Sequence, residues 1–214
     1  RNTHLIELNL CWETTNFFRG LASNQLIQAF RFDMWGIGDQ GANIVENGLI
    51  HNVPLKKLCI SHANDVTYIG WLAIFATLQM NPNCRLQELN LDSNRINEAA
   101  ALSLSNVMLR HNTTLKTLRL SDCINTITIT GFATLFQPLQ DRHCRIVNLD
   151  LSNNSNTDEK VAVLTNALVN NSSLRVLDLT GNYDVTDTGW SVLCCSAQPQ
   201  FSVGRIGSEL ESHQ

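Results

Sequence analysis

A chain of 214 residues with 43% hydrophobic content is long enough to bury one large core or two smaller ones, and its formal net charge of −4 lacks the basic excess that nucleic acid or an anionic membrane surface attracts. No apolar run approaches the roughly 18 residues of a membrane-spanning helix, and the opening RNTHLIELNL lacks the basic, apolar, small-residue order of a secretory signal. Neither nucleic acid nor direct membrane insertion is expected.

One short phrase, an apolar residue followed at +3 and +5 by two more, recurs eight times. It begins at Leu5 (LIELNL), Ile27 (IQAFRF), Leu55 (LKKLCI), Leu86 (LQELNL), Leu115 (LKTLRL), Ile146 (IVNLDL), Leu174 (LRVLDL) and Phe201 (FSVGRI). From Ile27 onward the spacings are 28, 31, 29, 31, 28 and 27 residues, a fixed period of the kind that marks a solenoid. Within each phrase the two-residue period of a strand puts +3 and +5 on one face, so Leu89 and Leu91 point inward while Glu88, Asn90 and Asp92 point out. A second apolar anchor follows ten to twelve residues after each start, at Ile37, Val66, Ile96, Ile127 and Val185, with Asn156 the exception. Four residues on stands Gly41, Gly70, Gly131 or Gly189, replaced by Ala100 and Lys160, and a missing side chain there is expected to bring the next helix close to the strand layer. Helical spacing follows, as in Ala101, Leu104, Met108 and Val161, Leu164, Leu168, with Thr157 and Thr186, each followed by Asp, suited to helix starts. Asn112-Thr113 and Asn171-Ser172 are expected to close helices and return the chain to the next strand.

The phrase resembles the strand segment of leucine-rich repeats, and the roughly 29-residue period is similar to that of the ribonuclease-inhibitor-like subclass. The resemblance implies an α/β curved solenoid, a partial horseshoe with parallel strands on the concave face and helices on the convex face, over residues 1–214 as a single domain of about seven to eight repeats. Because the chain opens directly on a strand phrase, without a polar cap, it is expected to be a piece of a longer array. The family places Asn or Cys at +8, where this chain has Glu13, Trp35, Ala63, Asn94, Cys123, Asn154, Asn182 and Glu209, so the first three repeats depart from the pattern.

Seven cysteines, scattered and at core-like places such as Cys59, Cys123, Cys194 and Cys195, point to a reducing compartment and hence an intracellular, cytoplasmic protein. The sequons at Asn112, Asn153, Asn170 and Asn171 would accept glycans in a secreted protein, but the same residue types are what repeat turns use.

No chemistry stands out. Cys144 beside His143, with Cys84 two repeats earlier, is too spread for zinc, since two strand spacings amount to about 10 Å. GxSxG, GxxxxGK[ST], HExxH and acidic calcium loops are absent, so no catalytic residue, cofactor or metal is assigned. His62 alone falls on the predicted concave face, where a catalytic base is one reading, whereas His4, His51, His111 and His213 fall at chain or helix ends as solvated histidines. Ran GTPase-activating proteins share this subclass of repeat, and Arg95 in DSNRIN is the kind of residue that stabilises a partner's phosphoryl transfer, although no family-specific motif maps onto it.

Binding is then expected at outward positions +2, +4, +6 and +7. The +7 column reads Trp12, Met34, His62, Ser93, Asp122, Asn153, Gly181 and Ser208, bulky at first and small later. Trp12 and Met34 flanked by Arg31 and Lys57 form a candidate anchor, since aromatic residues, Met and Arg are enriched where partners bind. Glu88, Asp92, Asp122, Asp150 and Asp178, with Arg119 the main cation among them, form an acidic stripe suited to a basic partner segment. The extra residues of the longer repeats, Asn64-Asp65, Asn125-Thr126 and Tyr183-Asp184, form a rim, with Tyr183 its foremost candidate. The expected function is a non-catalytic module that binds another protein; a structural spacer and a GTPase activator are the alternatives.

Overall fold

The computed structural model describes residues 7–11, 27–33, 38–50, 55–81, 85–108, 114–141, 143–196 and 202–203. Its strands are β1 (Glu7–Cys11), β2 (Ala29–Asp33), β3 (Lys57–Ser61), β4 (Glu88–Asn90), β5 (Thr117–Arg119), β6 (Asn148–Asp150), β7 (Val176–Asp178) and β8 (Ser202–Val203). Between them run helices α1 (Gly38–Leu49), α2 (Tyr68–Met80), α3 (Glu98–Asn106), α4 (Ile129–Phe136), α5 (Asp158–Leu168) and α6 (Asp187–Ser196), with a 3-10 turn at Gln137–Gln140 after α4.

All eight strands form one open parallel sheet in sequence order, and consecutive helices pack side by side. Each strand-helix-strand crossover keeps the same hand, so every helix lies on one side of the sheet. Strands about 4.8 Å apart backed by helices about 10 Å apart bend the stack with the strands inside, the partial horseshoe the repeat pattern implies.

The register follows from the apolar phrase. Leu8 faces Phe30, Phe30 faces Leu58, and Leu58, Leu89, Leu118, Leu149 and Leu177 continue the row. The first repeats therefore align as the phrase predicts. At the far end the expected register fails by one residue: Val203, not Gly204, lies opposite Leu177. From β2 to β7 the +3 and +5 side chains join the anchors Val66, Ile96, Ile127 and Val185 in one continuous core; the expected anchor Ile37 lies outside the described residues. Asn156, the polar exception, is equally buried and is accommodated by donating Nδ2–H to Asn182 Oδ1 at 2.7 Å.

The helix layer repeats every two coils. Asp39, Glu98 and Asp158, in the first turns of α1, α3 and α5, accept hydrogen bonds from Thr67, Thr128 and Thr186, which stand just ahead of α2, α4 and α6. The backbone N–H groups lie 2.8, 2.6 and 2.8 Å from these carboxylates, and the Thr67 and Thr186 hydroxyls donate as well, at 2.7 and 2.6 Å. Each acid thus meets the positive end of the next helix. The hydrogen bonds from Thr128 and Thr186 hold the Glu98 and Asp158 carboxyls below their ordinary pKa values.

This arrangement corrects the reading of the glycines. A Cβ at Gly70, Gly131 or Gly189 would run into Asp39, Glu98 or Asp158, so the missing side chain makes room for the preceding helix's acid rather than for the strand layer. Where the preceding helix starts with Tyr68 or Ile129 instead of an acid, Ala100 or Lys160 occupies the place, and the Lys160 ammonium lies 5.8 Å from the centre of the Phe132 ring. Burial holds the Lys160 pKa below its ordinary value.

Cysteine placement divides. Cys123 and Cys144 are buried, and burial pushes both thiols up, whereas Cys59 is half-buried and Cys194 and Cys195 are exposed, against expectation, because they follow the last inward-facing residue of α6, Leu193. Asn171 closes α5 as expected: buried, it donates to Leu139 O at 2.6 Å and accepts from Leu174 N at 2.8 Å. No described helix is long and apolar enough to cross a membrane.

Candidate functional site: the inner face and its rim

The strand residues at +4 do more than point outward. Asn90, Asp150 and Asp178 each accept, through Oδ1, the backbone N–H two residues on, at 2.8, 3.0 and 2.9 Å. These short loops of Asx type start the turn that ends each strand. Arg119 holds the same place in β5 and cannot accept. There the carboxylate of the preceding coil substitutes: Asp92 Oδ1 accepts from Ser121 N at 2.8 Å, while its Oδ2 accepts from Arg119 Nε at 3.1 Å. Arg119 Nη2 also lies 3.1 Å from Asp150 Oδ2, so one guanidinium ties three coils together across the inner face. Burial works against the Arg119 charge, but the hydrogen bond to Asp92 and the charges of Asp92, Asp150 and Glu88 outweigh it and hold its pKa above the ordinary value. Lys57 makes a second bridge, 3.1 Å to Glu88.

The +7 column is not a strand column. His62, Ser93, Asp122 and Asn153 have φ of 56°, 57°, 47° and 53°, and Gly181 has 76°, so each sits in a left-handed turn, which swings the four side chains from the sheet to the rim. Asp92 likewise lies in a turn, two residues beyond the end of β4. Buried asparagines hold these turns at +8. Asn154 accepts from Cys123 N and Ile124 N at 3.0 and 2.9 Å and donates to the carbonyls of Leu120, Leu151 and Ser152 at 2.8 to 3.0 Å. Asn94 does the same between Ala63 N and the carbonyls of Ile60 and Leu91.

The structure thus brings Lys57 together with Glu88, and Arg119 together with Asp92 and Asp150, while Asp122 and Asp178 make no ion pair among the described residues. Arg31 is exposed on β2, and Tyr183 is 93% exposed on the rim. Trp12 and Met34 lie outside the described residues. Missed by sequence reasoning were the two-coil period and what it does to the rim. Leu55, Leu115 and Leu174 start coils with the longer turns and stand about 60 residues apart, and the 31-residue spacings that follow Leu55 and Leu115 were its signal. Asn64–Asp65 and Asn125–Thr126 therefore project on either side of the shorter turn at Ser93–Arg95. They enclose a trough of about 360 Å³ lined by His62, Asn64, Ser93, Arg95, Asp122 and Asn125. No described group of histidine, cysteine and carboxylate side chains is arranged to hold a metal ion.

No family model matches the sequence. Over 201 residues it is 36% identical to NACHT, LRR and PYD domains-containing protein 3 of Bos taurus, which covers 81% of this chain and 19% of that protein. Over 187 residues it is 29% identical to NACHT, LRR and PYD domains-containing protein 14 of Mus musculus, covering 87% of this chain and 18% of the relative. Ribonuclease inhibitor of Mus musculus is 28% identical over 170 residues, 79% of this chain and 36% of that protein. The chain is a leucine-rich-repeat protein of the ribonuclease-inhibitor-like subclass. The leucine-rich-repeat chain spans less than a fifth of the length of the NACHT relatives and about a third of the inhibitor. Among solved structures, leiomodin-1 actin-binding site 2 superposes with a TM-score of 0.57 at 18% identity, covering 74% of this chain and 89% of that one, which shows the shared repeat fold.

Proposed function

We propose that this leucine-rich-repeat array is a non-catalytic module that binds a partner protein on its concave sheet and adjoining rim. The observation that carries the reading is the cross-coil fixation of the inner face. Side chains there are tied to neighbouring coils by Arg119 and Lys57 and, at the turns, by Asn94 and Asn154. A surface held in this way loses little side-chain freedom on association. The repeat relatives support protein binding as the general role, and the printed name of leiomodin-1 actin-binding site 2 assigns that structural neighbour a protein partner.

Arg119 and Lys57 compensate three of the five acids of the stripe, which concentrates the charge open to a basic partner segment on Asp122 and Asp178. The test is a quantitative capture experiment with the immobilised chain. Asp122→Lys, Asp178→Lys and Tyr183→Ala should each deplete the captured partner, whereas Thr130→Lys and Asn166→Lys on the helix layer should leave it bound. Partners lost only with the helix variants would overturn the reading.

A further inference from the structure

The two-coil period makes two troughs of the same kind, and they differ. Between Asn125–Thr126 and the next long turn at Tyr183–Asp184, the Asn125 side chain reaches across and accepts from Ser155 N at 2.7 Å, which fills that trough. One unit earlier the place of Ser155 is taken by Arg95, and among the described residues no hydrogen bond crosses from Asn64 to it. This trough stays open.

Its walls carry two charges of opposite sign. The Arg95 side chain is exposed and makes no ion pair or hydrogen bond among the described residues. Across from it, Asp122 Oδ1 accepts from Asn125 Nδ2 at 2.8 Å, while Oδ2 has no described partner. The two charges do not pair with each other, although both line the same 360 Å³ space with the polar side chains of His62, Asn64 and Ser93. A purely basic segment entering here would set a cation against Arg95, and a purely acidic one would set an anion against Asp122; either arrangement leaves a like-charge contact. Asn64, Ser93 and Asn125 supply donors and acceptors for a main chain lying between the charges.

Resting on the reading that this face binds a protein, we propose that the open trough takes a partner segment with an acidic and a basic side chain close together, the acid on Arg95 and the base on Asp122. A solely basic ligand, which the acidic stripe alone would select, is then a poorer fit for the rim than for Asp178.

The probes are short, terminally capped peptides in a Gly/Ser frame with one Glu and one Lys at varied spacing, together with frames carrying Gln for Glu, Gln for Lys, or both. They are titrated into the isotope-labelled full chain up to about 1 mM and followed by amide chemical shifts. At least one mixed-charge peptide should shift Ser93, Arg95, Asp122 and Asn125 and bind about threefold tighter than either singly charged version. Arg95→Gln should remove the advantage of Glu, and Asp122→Asn that of Lys. Asn keeps the left-handed turn accessible at position 122, so the second variant tests charge without unfolding the site. Equal binding of mixed and single-charge peptides, no binding across the range, or shifts confined to Arg31, Lys57 and Asp178 would overturn the proposal. If the capture experiment meanwhile still depends on Asp178 and Tyr183, the trough assignment falls and the broader binding role stands.

Discussion

Gly131→Ala tests the helix-layer arrangement most sharply, because an ordinary helical site and this one predict opposite signs. Alanine is favoured over glycine within a helix by about 0.5–1 kcal/mol, so an unencumbered α4 would be stabilised. Here the new Cβ would come within 2.6 Å of Glu98 Cδ and 2.9 Å of Oε1. The carboxylate would swing away and lose its 2.6 Å hydrogen bond from Thr128 N, a charge-assisted cap worth about 0.5–1 kcal/mol at an exposed site. The single variant should therefore be neutral or lose up to about 1 kcal/mol once residual crowding is included. In a Glu98→Ala background the same change should stabilise by about 0.5–1 kcal/mol, a coupling of about 1 kcal/mol in a double-mutant cycle. Each 1 kcal/mol moves the melting temperature of a chain this size by about 2–4 °C, which calorimetry resolves. An NMR titration should show the Glu98 pKa returning toward 4.5 in Gly131→Ala. Gly70 is the control, since its Cβ would also meet Val66 Cγ1 at 2.7 Å and Ala42 Cβ at 2.8 Å, so Asp39→Ala should not rescue Gly70→Ala. Equal stabilisation by Gly131→Ala with and without Glu98 would refute the account of the acid and the glycine.

Asn154→Ala strands two buried N–H groups and the Leu120 carbonyl, while the Leu151 and Ser152 carbonyls keep their bonds from Asn182 and Asp122, and should cost about 2–4 kcal/mol in denaturant unfolding. Arg119→Ala should cost about 1 kcal/mol in denaturant unfolding, with Arg119→Lys restoring only part, because a point ammonium cannot span both carboxylates. Glu98 and Asp158 titrate below their ordinary values of 4.5 and 3.8, so their contribution is present above those values and is lost as pH falls through the lower folded-state pKa values. Thermal melts from about pH 5 to pH 3 should therefore fall less steeply in a Thr128→Val, Thr186→Val double variant than in the parent. Lys160 is only 7% exposed and burial disfavours its charge; Lys160→Met should leave the melting temperature unchanged or raise it, by up to about 1 kcal/mol of stability.

The apolar rows were legible in the sequence because burial follows a strict two-residue alternation: Leu89, Leu118 and Leu149 had one physical solution. The eighth strand slipped by one because Phe201 and Val203 alternate as well as Phe201 and Gly204 fit the template. Backbone conformation was the least legible. Nothing in the identities of His62, Ser93 and Asp122 declared a positive φ, since the strain is absorbed by hydrogen bonds from other coils, such as Asp122 N to Ser152 O at 3.1 Å. Long-range polar partners were hidden for the same reason. That Arg119 needs Asp92 to cap its turn, or Gly131 needs Glu98 nearby, depends on residues about 30 positions apart whose contact exists only once the coils stack.

Hydroxyl-radical footprinting of the chain bound to its captured partner tests the binding account most directly, because Tyr183 on the rim and Met80 on the helix layer are both well exposed and reactive. Tyr183, 93% exposed, and His62 mark the rim, while Met80, 81% exposed, and Leu102 mark the helix layer. Protection of Tyr183 and His62 with Met80 and Leu102 still reactive is the predicted result; protection of Met80 and Leu102 with an unprotected rim would contradict it.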